Sequence, residues 1–210
     1  MERFPAFGFV LLLACPAVSP ALADTWTEQG DAGELIPTAQ VPTGTNPLTL
    51  ISGSLLPQND VDLYLIRIND PRQFAADTGG SDVTDTQLFL FSGNGNGVTF
   101  NDDDPLFLIG LHSRISGTFI PGPGDYYLGI SAYDRDAVNG PGLEIWLDEP
   151  FTVERPPDGP GAPGPLAGWD GFGGDAGNYV INISGGKFVP EPAAMAVLAL
   201  GGLAVLRRRR

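Results

Sequence analysis

Between Asp24 and Val189 the chain carries almost no helical periodicity. Apolar and β-branched runs of five to eight residues alternate with clusters of Gly, Pro, Asn and Asp. Such spacing is too short for helices and suits short strands joined by tight turns, so the segment is expected to be an all-β sandwich or barrel. The expected strands are Leu48–Leu55, Val61–Ile68, Gln73–Thr78, Thr86–Phe91, Val98–Phe100, Ser113–Phe119, Tyr126–Tyr133, Leu143–Leu147 and Asn178–Ser184. Val61–Ile68 (VDLYLIRI) is apolar on both faces apart from Asp62 and Arg67, which predicts a central strand. Tyr126–Tyr133 (YYLGISAY) reads the same way and is entered through the turn 121–125 (PGPGD).

One stretch resists this pattern. Arg155–Gly177 has 13 Gly or Pro among 23 residues, a density that predicts a long irregular excursion before the final strand. Trp169 and Phe172 are its exceptions. They either pin the excursion to the body or form an exposed aromatic contact site, and pinning is the favoured reading. Gly-Asp-Ala-Gly occurs twice, at 30–33 and 174–177. The flanks differ, so it is read as coincidence and not as a repeat.

The two ends differ in kind from the middle. Residues 1–23 combine Arg3, an apolar run from Phe7 to Ala14 and the small-x-small site Ala21-Leu22-Ala23, the composition of a secretory signal peptide with Asp24 as the new N-terminus. Cys15, the one cysteine, lies inside this segment; read as a lipoprotein site it would duplicate an anchor that the other end already supplies. At the C-terminus, Ala193–Leu206 is uncharged and is followed by Arg207, Arg208, Arg209 and Arg210. Fourteen helical residues span roughly 21 Å, short of a hydrocarbon core of about 30 Å. The arginines decide the reading: they would repel one another in a packed core but are favoured at a cytoplasmic membrane face. A transmembrane helix at 193–206 is therefore expected.

Val189-Pro190-Glu191-Pro192, the short apolar span and the arginine block together resemble the PEP-CTERM sorting signal of Gram-negative bacteria. That resemblance implies recognition by an exosortase-type membrane protease, transient anchoring in the inner membrane, removal of the tail, and delivery to the cell surface or extracellular matrix.

With both ends removed, 166 residues remain, enough for one sizeable core. Taking Glu2 and Glu191 from the 25 acids, and Arg3 and the four terminal arginines from the 11 bases, leaves 23 and 6 and a net charge of −17. This argues against nucleic acid as a partner and suits a soluble exported protein or one that recruits divalent cations. No cysteine is left for a disulfide, so packing or bound metal must supply the stability.

Trp26–Gln40, Asp60–Ile68, Asp85–Phe91 (DTQLFLF), Gly97–Asp104 (GVTFNDDD) and Gly124–Ser131 (GDYYLGIS) resemble the bacterial pre-peptidase C-terminal domain. The resemblance implies a jelly-roll-like antiparallel β-sandwich over 24–188, a module found beside secreted proteases and also alone. Here no protease accompanies it, and the Pro/Gly excursion departs from the compact form. Some relatives bind calcium through acidic residues.

The acids offer the one chemical constellation. Ser92–Gly97 (SGNGNG) is a hairpin signal; if the loop is symmetric, paired positions add to 189 and Asp85 comes opposite the turn 101–104 (NDDD). A turn centred on Asn96-Gly97 would loosen the cluster. Carboxylates gathered so closely repel unless solvated or bridged, and Ca²⁺ takes six to eight hard oxygens. Asp85, Asp102, Asp103 and Asp104 are thus candidate Ca²⁺ ligands, as are Asp60 and Asp62 at the mouth of the central strand. Glu28, Asp31 and Glu34 are further candidates. No D-x-D-x-D-G loop fixes them, and a solvated acidic rim is the alternative.

Catalysis has little support in the sequence. His112 is the one histidine, which excludes a multi-histidine zinc site, and Ser131 lacks the glycine pattern of a nucleophile elbow. Three functions stay open: a non-catalytic surface or matrix module, a carbohydrate-binding module with Trp146, Trp169 and Phe172 as a platform for exopolysaccharide, and a secreted hydrolase with an atypical site. The first is preferred.

Overall fold

The computed structural model describes residues 23–107 and 110–190. The expected signal peptide (except Ala23), transmembrane helix and arginine block lie outside the described residues. Within them the fold is nearly all β, with eleven strands. These are β1 (Asp24–Thr27), β2 (Pro47–Leu55), β3 (Val61–Ile68), β4 (Ala75–Asp77), β5 (Thr86–Ser92), β6 (Gly97–Asn101), β7 (Arg114–Ser116), β8 (Gly124–Ala132), β9 (Arg135–Asn139), β10 (Leu166–Gly171) and β11 (Gly177–Lys187).

Strands β3, β8, β5 and β6 pair antiparallel in that order. β11 pairs antiparallel with β2 along most of its length and with β4 at Asn182–Ser184; β4 continues to β7, and β1 joins β2 in parallel. After a register shift between Asn182 and Gly186, the end of β11 reaches Ile68 and Arg67 of β3 and ties the two groups together. A strand followed by a long return cannot be recognised as parallel from residue pattern alone, so β1 was invisible in the sequence.

The four-stranded group is buried on both faces, and that explains its continuous apolar runs. On the inner face Tyr64, Ile66 and Ile68 of β3, Leu88 and Leu90 of β5, and Leu128 and Ile130 of β8 meet Ile51 of β2, Ile115 of β7 and Ile181 of β11. On the outer face Leu63, Phe89, Phe91 and Phe100 are covered by Ala137, Ile145, Trp146, Leu166 and Trp169. Each fully buried large side chain contributes roughly 1.5–3 kcal/mol, so neither face is dispensable.

The outer cover corrects two expectations. Leu143–Leu147 is not a strand: Glu144 makes an isolated bridge to Val138, and Ile145 donates its N–H to the Ala137 carbonyl at 2.9 Å. Ile145 and Trp146 are buried by packing against the outer face, while Leu143 and Leu147 stay exposed. The Gly/Pro-rich stretch 155–177 is not an irregular excursion throughout. It forms β10, paired antiparallel with β9, and before that it lies along the free edge of β6, where Phe100 and Arg155 exchange backbone hydrogen bonds of 3.1 and 3.0 Å. Gly97 makes this possible, since a β-carbon there would run into Trp146, Ile145 and Pro157. An open sheet edge is thereby closed.

Candidate functional site

The β5–β6 hairpin brings the first acidic group together. Leu88 pairs with Asn101, Phe89 with Phe100 and Leu90 with Thr99, the symmetric register in which positions add to 189. A shift follows at Phe91, which pairs with Gly97, and Gly95 takes φ 82° inside the loop, a conformation that glycine adopts without strain. At the other end, one carboxylate oxygen each of Asp85, Asp102 and Asp103 lies within 4.8 Å of the others. Asn101 fixes the turn: its Oδ1 accepts the Arg114 N–H at 2.8 Å and its Nδ2 donates to the Asp103 carbonyl at 3.2 Å. Asp104 is not in the group. Its carboxylate accepts the Leu106 N–H at 2.8 Å and caps the turn.

These acids sit beside a cavity of about 220 Å³ whose other walls are Leu111, Tyr133 and Phe151. Asp102 is 3 % exposed. Burial pushes its carboxyl up to about 8, with Asp103, Asp85 and Asp136 adding repulsion, and pushes Asp85 up to about 6. Oδ1 of Asp102 and Oδ1 of Asp103 are both buried without a hydrogen-bond partner.

A second group forms where the N-terminal segment crosses β3, with Glu28, Asp31 and Asp62 inside the same 4.8 Å limit. Asp62 is fully buried and accepts the Tyr179 hydroxyl at Oδ2, 2.6 Å; the Tyr179 and Tyr64 hydroxyls meet in turn. Its Oδ1 has no partner. Burial raises its carboxyl to about 8 against the lowering effect of Tyr179. Glu28 is better supplied, accepting the N–H groups of Ala32 (3.1 Å) and Ser54 (2.9 Å). Gly53 leaves the space, for a β-carbon there would overlap the Tyr179 hydroxyl and Glu28. Asp60 stands apart as the cap of the β2–β3 turn, accepting from Leu56 N–H at 2.8 Å and Val61 N–H at 2.9 Å. Glu34 is drawn to Arg135 on β9, 4.0 Å away.

A third group, Asp134, Asp136 and Asp148, has no counterpart among the residues expected from the sequence. Asp136 is the second residue of β9, close to Asp134, and burial, with that neighbour, raises its carboxyl to about 8, while Gln87 Nε2 donates to it at 3.0 Å. The missing signal was β9 itself: RDAVN reads as a turn, and without its strand nothing brings Asp136 toward Asp148.

The aromatic residues do not form a platform. Trp146 is 3 % exposed and lies between Phe89, Phe91 and Phe100, with ring centroids 5.8, 5.5 and 5.6 Å away. Trp169 pins β10, its Nε1 donating to the Glu34 carbonyl at 2.7 Å and its ring meeting Phe89 edge-on at 5.1 Å. Phe172 alone stands out, at 62 % exposure. His112 is nearly buried against Phe107, and the Ser131 hydroxyl is within hydrogen-bond reach of Gln87 Oε1 and the Arg135 carbonyl.

The C-terminal segment leaves the body directly from β11. Phe188 is still a core residue, 7 % exposed, and the chain passes through a half-buried Val189 to an exposed Pro190. Residues 188–210 match the family model of the PEP-CTERM protein-sorting motif. A search of curated proteins found no match for the chain. The motif supports an exported protein sorted by an exosortase-type membrane enzyme, and it implies transient membrane anchoring.

Proposed function

We propose that this chain delivers a non-catalytic β-domain to the cell surface or extracellular matrix. There the domain serves as a structural or adhesion module of the jelly-roll, pre-peptidase C-terminal type, set in part by Ca²⁺. The observation that carries the reading is the junction at Phe188. The sorting motif begins on a residue that belongs to the hydrophobic core, one position after the strand that joins the two groups of the sheet. Cargo and handle therefore meet at the end of β11, and cutting beyond Pro190 keeps every core contact made by the described residues. The six basic residues of the expected mature chain leave it strongly acidic, which suits a protein that stays soluble outside the cell and gathers cations.

Cell fractionation with mass spectrometry of both termini tests it. The expected form lies outside the cell, begins near Asp24, retains Phe188 and lacks the arginine block. Full-length chain in the cytosol with both ends intact sinks the proposal.

A groove of about 640 Å³ beside β4 and β7 favours a second reading, that of a polymer-binding module. Arg72, Arg114, Ser116 and Thr118 line it; Arg72 is paired with Asp70 and the Ser116 hydroxyl with Glu154, so Arg114 is the group that would meet an acidic exopolysaccharide. Retention on an acidic but not a neutral polysaccharide matrix, lost in Arg114→Ala, is the expected behaviour of such a module. Equal retention on both matrices removes this reading.

A further inference from the structure

We infer that the open end of the β5–β6 hairpin is a calcium site, with Asp85, Asp102 and Asp103 as its carboxylate ligands. The inference rests on the exported reading above, because extracellular modules work with affinities that only external calcium satisfies.

Hydrogen bonding separates this group from the other acids. Buried polar groups are nearly always paired, and an unpaired buried carboxylate is among the most costly exceptions. Asp60, Asp62, Glu28 and Asp125 each accept at least one donor. Among the described residues, no donor reaches the carboxylates of Asp85, Asp102 or Asp103, and two of their oxygens are buried. The nearest basic group, Arg155, attracts Asp102 through its charge without hydrogen-bonding to it, and its own Nε has no hydrogen-bond partner. Arg155 lies over the Phe100 ring at 5.2 Å and donates to the carbonyls of Asp148 and Pro150. Both ends of the Asn101 amide are used within the turn. Asp102, 97 % buried by its 3 % exposure, faces the cavity with no partner of its own.

What the group lacks is therefore positive charge, and the geometry says of which kind. Oxygens no more than 4.8 Å apart can share one ion at Ca²⁺–oxygen distances of about 2.3–2.6 Å. A cavity of about 220 Å³ also has room for coordinating waters at roughly 30 Å³ each. Oxygen-only donors on a two-strand turn suit a large ion of flexible coordination; Mg²⁺ demands near-ideal octahedral geometry, and zinc prefers nitrogen and sulfur. The ion would cross-link the start of β5 to the turn after β6, beside Tyr133 in the cavity wall.

Calorimetric and thermal titration of the full chain in detergent, stripped with EDTA, tests the assignment. We expect a Kd of about 0.1–1 mM for Ca²⁺ and a Tm rise of roughly 5–10 °C at a hundredfold excess. Asp102→Asn should weaken Ca²⁺ binding at least tenfold while leaving the metal-free Tm unchanged or higher, since the neutral amide keeps the shape of the carboxyl and removes its repulsion with Asp103 and Asp85. A merely structural Asp102 would instead lower that Tm. Asp104→Asn, a cap outside the group, should keep the Ca²⁺ response. Should Asp102→Asn fail to fold, Asp85→Asn, at a half-exposed position, carries the same expectation for binding. The assignment is overturned if wild type shows no Ca²⁺ response, if Mg²⁺ reproduces it at equal concentration, or if Asp102→Asn and Asp85→Asn respond as wild type does. Each of these leaves the fractionation result untouched, so export and calcium can fail separately.

Discussion

The two faces of the β3–β8–β5–β6 group are built by different means. The inner face is covered by other strands, and its side chains are mostly aliphatic with a tyrosine pair at one end. The outer face is covered by a ribbon and irregular segments, and there the contacts are made by Phe89, Phe91, Phe100, Trp146 and Trp169. Regular strands bring many small apolar side chains into register, so Ile, Leu and Val suffice. Irregular chain presents few side chains per unit area, and large rings compensate by burying 150–250 Å² each. A domain without disulfides thus closes its second face with aromatic area.

Replacing Trp146 by Ala tests that idea most severely. The indole fills the space between three phenylalanines, and its loss should cost roughly 3–5 kcal/mol. Because the outer cover is part of one core, we expect the whole unfolding transition to shift in chemical denaturation. A separate early transition confined to the outer face would show instead that it is a detachable lid.

Tyr179→Phe probes the inner face with a smaller change. It removes the hydroxyl that donates to Asp62 and leaves that buried carboxylate without its donor, at a cost of about 1–3 kcal/mol. Denaturation of Tyr179→Phe beside wild type measures the loss; an unchanged midpoint would mean that the Tyr64–Tyr179–Asp62 chain contributes only packing. The pH response should be smaller per step and opposite to ordinary acid denaturation. Asp62 and Asp102 both have folded-state values near 8, above the ordinary carboxylate range near 4. The stability from their protonated forms is complete below about pH 4 and is lost as pH rises through about 8, by about 1.4 kcal/mol per pH unit for each group at most in that window. The EDTA-treated protein should therefore melt higher at pH 5 than at pH 8, and saturating Ca²⁺ should flatten the share due to Asp102 but not that due to Asp62. A Tm that climbs from pH 5 to pH 8 without metal contradicts this.

Legibility in the sequence follows the same division. VDLYLIRI and YYLGISAY announce central strands because their pattern has hardly a polar face, and β3 and β8 stand where the pattern places them. The SGNGNG loop left two registers open, and the symmetric one is found from Leu88–Asn101 to Leu90–Thr99, with a shift at Phe91. The outer cover was hidden. In LAGWDG, β10 is mostly Gly and small residues, which carry no strand signal until β9 offers an edge to pair with. Ile145 and Trp146 looked like strand residues because burial, not secondary structure, is what an apolar run reports. Asp60 and Asp104 were grouped with the metal candidates by composition; only the structure shows that backbone N–H groups already occupy them.

The comparison sharpens last at the C-terminus, where the expected effect is zero. β11 contributes Tyr179, Ile181 and Ile183 to the inner core, and Phe188 closes it against Gly44, whose missing side chain admits the ring. A chain ending at Pro190 keeps all of these contacts, and its Tm should match that of the full chain within a degree or so. Ending the chain at Lys187 removes the Phe188 ring and should cost roughly 3 kcal/mol, the range for truncating a buried phenylalanine. The difference between two cuts three residues apart then locates the boundary between cargo and handle. If both truncations melt alike, Phe188 belongs to the handle, and the exosortase-type enzyme has freedom to cut closer to the sheet than the packing implies.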